Sequence, residues 1–467
     1  MAETQKLIPS NGFNLALAIP ISWIRERKEE SDTLRSSHDK LGSAAYEKLK
    51  DIIAQITASE NEQGISTHNH HAVDFYTILR DHHREDATLD ELWNELNSVP
   101  EWVDWKQIER GQKFFVRYAV ANITSLLFQG FLHGNAIVGV PEGFSRTGGF
   151  TIKGLLPPFV ETFAWLTKIT HSLESIQPGG DGHTDSVRVR LINASFRRRI
   201  MKLVATRPTY FNVQQCGPLI SDYSSVHTIS LFCASPMWDA LPRIGITPSQ
   251  QDQDDYIALF RYIAYLIGVP NERFENREKA KATMETFLWT GAEPDAKLKS
   301  LADDFIEWVE VQPPIFLSKA FLIAGFYDLN GARYCELLGY PHPSIYYKFS
   351  FKGFCLLLWL TSLAQWVFPP FDRFMVQYFR ANLLTFLTRR SGLIGSYNTS
   401  SLKFDKGAEK ESTLVKGPKS RKPPLESFCF SVFLPYTLIS NILCLGIFAA
   451  LVAFLVKRSG CCGYPKT

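Results

Sequence analysis

Four positions near the middle of the chain, Arg190, Asn193, Ala194 and Arg197, follow one another at i, i+3, i+4 and i+7. They lie in SVRVRLINASFRRRIM, residues 186–201, which has no Gly or Pro and repeats apolar Val187, Leu191, Ile192, Phe196 and Ile200 at helical intervals. In a helix this spacing puts the four on one face. Two guanidinium groups and a carboxamide on so apolar a helix are costly to bury without partners. They form either a solvated basic face or the wall of a pocket that meets an anionic ligand. Thr162, His227 and Thr228 are further polar residues on otherwise apolar stretches. With Arg190, Asn193 and Arg197 they would converge on a cavity between helices at 155–173, 186–201 and 222–233. Such a cavity suits a flat hydrophobic ligand with anionic substituents, haem among them. A satisfied polar core network would use the same residues.

Other chemistries find less support. His68, His70, His71, His82 and His83 cluster in THNHHAVDFYTILRDHHRED. They lack a fixed carboxylate or Cys pattern, so a solvated connector is preferred to a metal site. No GxSxG elbow, no Walker A loop and no GxGxxG after a strand occurs. The eight Cys (216, 233, 335, 355, 429, 444, 461, 462) form no CxxC pair and no disulfide framework. That reads as a reducing, cytosol-facing environment. The sequons at Asn122 and Asn193 fall in apolar helices that would present them poorly, and that at Asn398 falls in a linker.

The elements that must position these residues read as helices throughout. Residues 43–57, 87–96 with a Thr88/Glu91 capping box, 110–130, 155–173, 222–233, 250–269, 277–311 and 317–338 all show helical patterning. Residues 137–154 and 177–184 read as turns, because Gly and Pro interrupt them. Convincing period-2 runs are almost absent, which predicts an all-α, multi-helix fold. A net charge of only +3 leaves no nucleic-acid footprint. The 34 Phe, 17 Tyr and 10 Trp suit a large apolar core or an apolar ligand cavity.

Residues 391–426 are rich in Ser, Gly, Lys and Pro and read as a linker. Residues 427–456 then contain no charged side chain until Lys457 and Arg458. From Pro435 the run is about 22 residues, roughly 33 Å as helix, enough to span a bilayer. A C-terminal transmembrane helix is therefore expected over 427–458, followed by a short tail at 459–467. The slight basic excess before it favours a cytosolic globular part. Cys461-Cys462 resembles a palmitoylation site, which would need the opposite end to be cytosolic. Residues 353–368 form a second apolar run, about 16 residues or roughly 24 Å, short for a span: it reads as a core helix or a helix lying in the membrane surface, while a second span would put both ends on one side and reconcile the palmitoylation reading. No N-terminal signal peptide is read: Pro20 interrupts the apolar 13–24 stretch, and no basic region precedes it.

Five ordered blocks carry a family resemblance: VPEWVDWKQIERGQKFFVRYA (99–119), RTGGF (146–150), SVRVRLINASFRRRI (186–200), CGPLISDYSSVHTISLF (216–232) and GITPSQQDQDDYIALFRYIAYLIGVP (245–270). Together they resemble the family joining the ER-bound oxygenase of MpaB type to the rubber oxygenase, latex clearing protein. The resemblance covers roughly residues 90–275. It implies a globin-like helical domain over 91–390 after an N-terminal extension at 1–90. It also implies a b-type haem and oxidative cleavage of carbon–carbon double bonds in isoprenoid chains. By the same resemblance the protein would be a membrane-anchored oxygenase of the endoplasmic reticulum or another endomembrane. It would act on an apolar isoprenoid- or polyketide-derived metabolite of fungal secondary metabolism.

Position by position, the family's proximal haem His is matched by Asn193. The Arg three residues earlier is kept as Arg190, which would meet a haem propionate. The preceding helix keeps Thr162 on the distal side but has Pro158 where the family has Arg. Glu161 stands where the rubber oxygenase has a distal Lys. A carboxamide is a poor iron ligand. His227, beside the retained Thr228, and then His171 are the candidate substitutes, and Arg197 would complete the cofactor wall. The other reading of the same residues is a haem-less, non-catalytic relative that binds a hydrophobic ligand or a pathway partner at the membrane.

Overall fold

A computed structural model of the chain describes residues 21–62, 74–130, 132, 152–290, 296–310, 317–389 and 425–433. Among the described residues every regular element is helical and no strand occurs. In chain order the principal helices are α1 (Ile21–Ser36), α2 (Lys40–Glu62), α3 (Phe75–His82), α4 (Ala87–Asn97), α5 (Trp105–Arg117), α6 (Ala119–Ser125), α7 (Ile152–Ile169) and α8 (Asp181–Thr206). They continue as α9 (Asp222–Ser235), α10 (Gln250–Leu266), α11 (Arg277–Thr290), α12 (Ala296–Glu310), α13 (Lys319–Asn330), α14 (Ile345–Val367) and α15 (Pro369–Arg389).

The core is built around α10. Its Tyr256, Ile257, Leu259, Phe260, Tyr262, Ile263, Ala264 and Leu266 are all buried, so it is apolar nearly all round, as an interior helix must be. A capping box at its start, Ser249 with Asp252, satisfies the first free N–H groups. The most extensive helix pair is α5 with α10. Gly111 allows this close crossing, because a Cβ there would run into the Asp255 carbonyl. At the rim of the crossing Arg110 grips Asp255 in a two-pronged pair of 2.7 and 2.8 Å.

Several boundaries differ from the sequence expectation for local reasons. The 110–130 run is divided at Tyr118, and its end (Leu126–Gly130) is a π turn. A second π turn, Pro236–Ala240, follows α9, and the two are joined where Gln129 donates to Asp239 at 2.5 Å. The α4 cap is Asp86, accepting from Thr88 N–H at 2.8 Å, rather than a Thr88/Glu91 box. The 277–311 run is two helices, and the 317–338 run breaks at Gly331, where φ is +87°. The 177–184 stretch is a loop only to Gly180, since α8 begins at Asp181. Of the 137–154 turn region, residues 137–151 lie outside the described residues.

No helix among the described residues is long and apolar enough to cross a membrane. That removes the 353–368 run as a span: it belongs to α14, one side of which is buried in the core. Most of the expected C-terminal span, residues 434–458, lies outside the described residues, as do the linker at 391–424 and Cys461-Cys462. The part that is described, residues 425–433, is helical and packs on α14, with the Tyr346 and Phe430 rings 4.8 Å apart. Cys233, Cys335, Cys355 and Cys429 are buried free thiols.

Candidate functional site

The α7–α8 pair fixes the geometry. Trp165 Nε1 donates to Ser186 Oγ at 3.0 Å, and Lys168 Nζ to Asp185 Oδ2 at 2.5 Å. Gly182 sits against the Ile169 backbone, 3.0 Å from where its Cβ would be to the Ile169 Cα. These contacts define an antiparallel register in which each step forward on α8 is a step back on α7. Two turns beyond Ser186, Asn193 is therefore level with position 158, and Arg190 with Glu161 and Thr162. Phe232 of α9 approaches this pair, its ring 6.0 Å from that of Trp165. Of the three helices expected to enclose a cavity, α7 and α8 pack side by side, while α9 packs mainly on α10 and α11 and reaches the pair through this ring contact.

The two arginines do not face that seam. Arg190 is 3% exposed and turned to α2 and α4. Its Nε and Nη2 donate to Asp39 at 2.9 Å each, and its Nη1 to Glu95 at 2.7 Å. Burial pushes its pKa down, but Asp39 and Glu95 more than offset this and hold the guanidinium charged. Gly268, at φ +70°, leaves room for it; a Cβ there would lie 2.6 Å from Arg190 Nε. Arg197, on the same face, donates to Ser43 Oγ at 2.6 Å and to the Ile220 carbonyl at 2.9 and 3.3 Å. Burial lowers its pKa. Ile220 holds a positive φ of 56°, rare for a β-branched residue, and Arg197 secures the carbonyl that this conformation presents. The basic stripe is therefore neither solvated nor turned toward α7: it is the buried bond between α8 and the N-terminal helices.

Sequence reasoning missed Asp39 and Glu95, which anchor this face, and Asp74 and Asp185, which hold Arg188 on another side of α8. Arg188 bridges Asp74, at 2.6 and 2.8 Å, and Asp185, at 2.7 Å. For Asp39, Asp74 and Glu95 the signal was present as unmatched carboxylates, but their arginine partners lie 95 to 151 residues away.

The seam itself holds different residues. Asn193 is half-buried, and no hydrogen bond ties its side chain to another described residue. About 60° around the helix from Arg190, it points to the α7 side. Thr162 is half-buried on α7. Thr228, exposed on the Phe232 face of α9, donates to the Ser224 carbonyl at 2.9 Å. Glu161 is half-buried, and desolvation alone raises its carboxyl to about 7. A carboxyl that titrates near neutrality beside apolar walls can take or give a proton. A carboxamide can donate to or accept from a ligand oxygen.

The candidate substitute ligands are placed elsewhere. The buried His227 packs its ring 4.5 Å from that of Phe287 on α11, about 140° around α9 from Phe232. His171 is exposed in the turn after α7, about 20 Å along the helix pair from the level of Asn193. His82 and His83 pair with Glu85 and Asp90 at 2.8 and 2.9 Å, and His83 stacks on Trp93. Among the described residues no group of three His, Cys, Asp or Glu could hold a metal; His68, His70 and His71 lie outside them.

Comparison with known proteins agrees with the blocks seen in the sequence. The family model described as ER-bound oxygenase mpaB/B'/Rubber oxygenase, catalytic domain, matches residues 116–359, just over half of the chain. The chain belongs to this oxygenase family. Among solved structures it is similar to one titled "Structure of Latex Clearing Protein LCP in the closed state", at 16% identity and a TM-score of 0.49, covering 62% of this chain and 79% of that one. No curated protein matches the chain.

Proposed function

We propose that this protein is a membrane-attached oxidoreductase of the MpaB/rubber-oxygenase family. It takes an apolar isoprenoid- or polyketide-derived metabolite into the seam between α7, α8 and α9, with its globular part on the cytosolic face of the endoplasmic reticulum or another endomembrane. A role in fungal secondary metabolism comes from the resemblance alone. Family membership supports the class of chemistry. The observation that carries the site is the pair of uncommitted polar groups in an apolar seam: the Asn193 carboxamide and the Glu161 carboxyl near its midpoint at neutral pH. Apolar neighbours such as Trp165 and Phe232 exclude water, Asn193 orients a ligand oxygen, and Glu161 holds or releases a proton.

The family's haem b does not fit the described residues as its ligation requires. The resemblance puts Asn193 at the proximal position, Arg190 is committed to Asp39 and Glu95, and His227 and His171 are turned or placed away from the seam. No step is therefore routed through haem. Asn193 specifically favours a second reading, in which the fold and seam persist without haem and hold a hydrophobic ligand or pathway partner at the membrane.

Visible spectroscopy of the full chain in detergent, titrated with haemin, separates the two. A sharp Soret band at near one-to-one haem supports the oxygenase and requires a ligand beyond those described. No Soret band in wild type, with one appearing in Asn193→His, supports the haem-free relative and marks position 193 as the switch. If neither protein binds haem and no apolar metabolite protects the fold, both readings fail.

A further inference from the structure

The corner between α14 and α15 is inside out. Gln365 and Asp372, its polar residues, are buried, the first donating to the Arg117 carbonyl at 3.3 Å and the second paired with Arg117 Nε at 2.9 Å. Trp366, Val367, Phe368 and Phe374 point outward instead, exposed by 73, 64, 59 and 59%. Leu363 and Tyr378 extend the patch along both helices, and the Phe374 and Tyr378 rings stack at 6.1 Å. Burying the amide and the carboxyl while exposing four large apolar side chains reverses the usual partition. A contiguous patch of this kind marks an interaction surface.

We propose that this corner is a second membrane contact, in which Trp366, Phe368 and Phe374 insert into the interfacial layer of a lipid bilayer. Three observations select lipid over a protein groove-binder. The patch lies at the turn between two helices, and Trp366, Val367, Phe368 and Phe374 are each more than half exposed, unlike side chains that wall a groove. Between Leu360 and Tyr378 the only charged residues are Asp372, turned inward, and Arg373, exposed as a cation suited to phosphate headgroups. Its outward residues are the Trp, Tyr and Phe that favour the boundary between headgroups and acyl chains. The same α14 also carries the packed helix at 425–433, from which residues 434–456 continue without one charged side chain. That helix packs on the first half of α14, at Tyr346, Phe349 and Gly353, about 20–30 Å along the helix from Trp366, so an uncharged tail and the patch would touch a bilayer at two separate points. The two contacts together would hold the globular part against the surface, where an apolar metabolite is concentrated.

This inference rests on the membrane attachment in the functional reading, and its test separates the two. Full-length protein is reconstituted into phosphatidylcholine vesicles with and without bromine on the acyl chains, and tryptophan emission is compared for wild type and Trp366→Phe. The uncharged tail contains no Trp, so it adds no signal. Bromine should quench wild type, and Trp366→Phe should lose most of that quenching while keeping the same far-ultraviolet circular dichroism. Equal quenching in the two proteins overturns the contact and leaves membrane attachment standing. Trp366 emission shielded from aqueous acrylamide but not quenched by bromine also overturns it, because protein then covers the corner. Failure of the chain to enter vesicles overturns both the contact and the attachment.

Discussion

The two sides of α8 obey opposite rules. On the α2/α4 side, every strongly polar group has found partners: Arg190 with Asp39 and Glu95, Arg197 with Ser43 and the Ile220 carbonyl. On the α7 side, about 60° around the same helix, Asn193 makes no hydrogen bond, and Glu161, about one turn along α7 from its level, has its carboxyl raised by desolvation. Buried polar groups are normally satisfied, so the first side is architecture. Polar groups left uncommitted in an apolar seam are where a ligand contributes the missing contacts. Charge alone pointed to the wrong side of this helix for a pocket; satisfaction of hydrogen bonds discriminates.

The sharpest test of the architectural side is Arg190→Met. It strands Asp39 and removes a Glu95 partner in a nearly solvent-free site, so about 3–5 kcal/mol of stability should be lost in denaturant unfolding. A change below about 1 kcal/mol would mean that Arg190 is not the anchor and return it to consideration as a pocket residue. Gly268→Ala attacks the same network from the backbone. Its φ of +70° and its closeness to Arg190 Nε should cost about 2–3 kcal/mol, with little effect on ligand binding in the seam.

Much of the fold was legible because it is local. Helical spacing without period-2 runs predicted an all-α chain; α9 was placed to within two residues, while α8 runs five residues beyond the 186–201 stretch at each end. What stayed hidden depends on distance in the chain. Nothing local reveals that Asp39 lies beside Arg190, 151 residues later, so the basic face looked available when it was already paired. Asn193 stands out from its helix already in the sequence, since a carboxamide among Leu191, Ile192 and Ala194 is visible from composition. Its separation from Arg190 was not visible, because i and i+3 share a broad face that two neighbouring helices divide between them. At the aromatic corner the apolar 353–368 run left core, membrane surface and span all open, because apolarity in sequence does not say which side of a helix remains uncovered.

The functional side makes a smaller mark on stability, with a definite sign in pH. Glu161 has its carboxyl raised from 4.5 to about 7 in the folded state, so the native protein binds this proton more tightly than the unfolded chain. The stability linked to it is fully present below about pH 4.5 and is lost as pH rises through about 7. Discounted for partial exposure, the amount is about 1–2 kcal/mol. Glu161→Gln should flatten this decline between pH 5 and 8 in urea midpoints. If the profile is unchanged, the carboxyl is solvated and the seam is not the apolar site described.

Asn193→Ala should have the smallest effect on folding and is the most discriminating partner to Arg190→Met. A half-buried carboxamide with no hydrogen bond loses little when truncated, within about 0.5 kcal/mol in urea unfolding. Binding should respond differently. If Asn193 orients a ligand oxygen, its removal should weaken capture of an apolar carbonyl compound by about tenfold, the worth of roughly one hydrogen bond, while the melting temperature of the free protein stays put. Arg190→Met should do the reverse, lowering the melting temperature without a selective change in affinity. Should Asn193→Ala prove as destabilising as Arg190→Met, the two sides of α8 would be equally structural, and the seam would be closed core rather than a site.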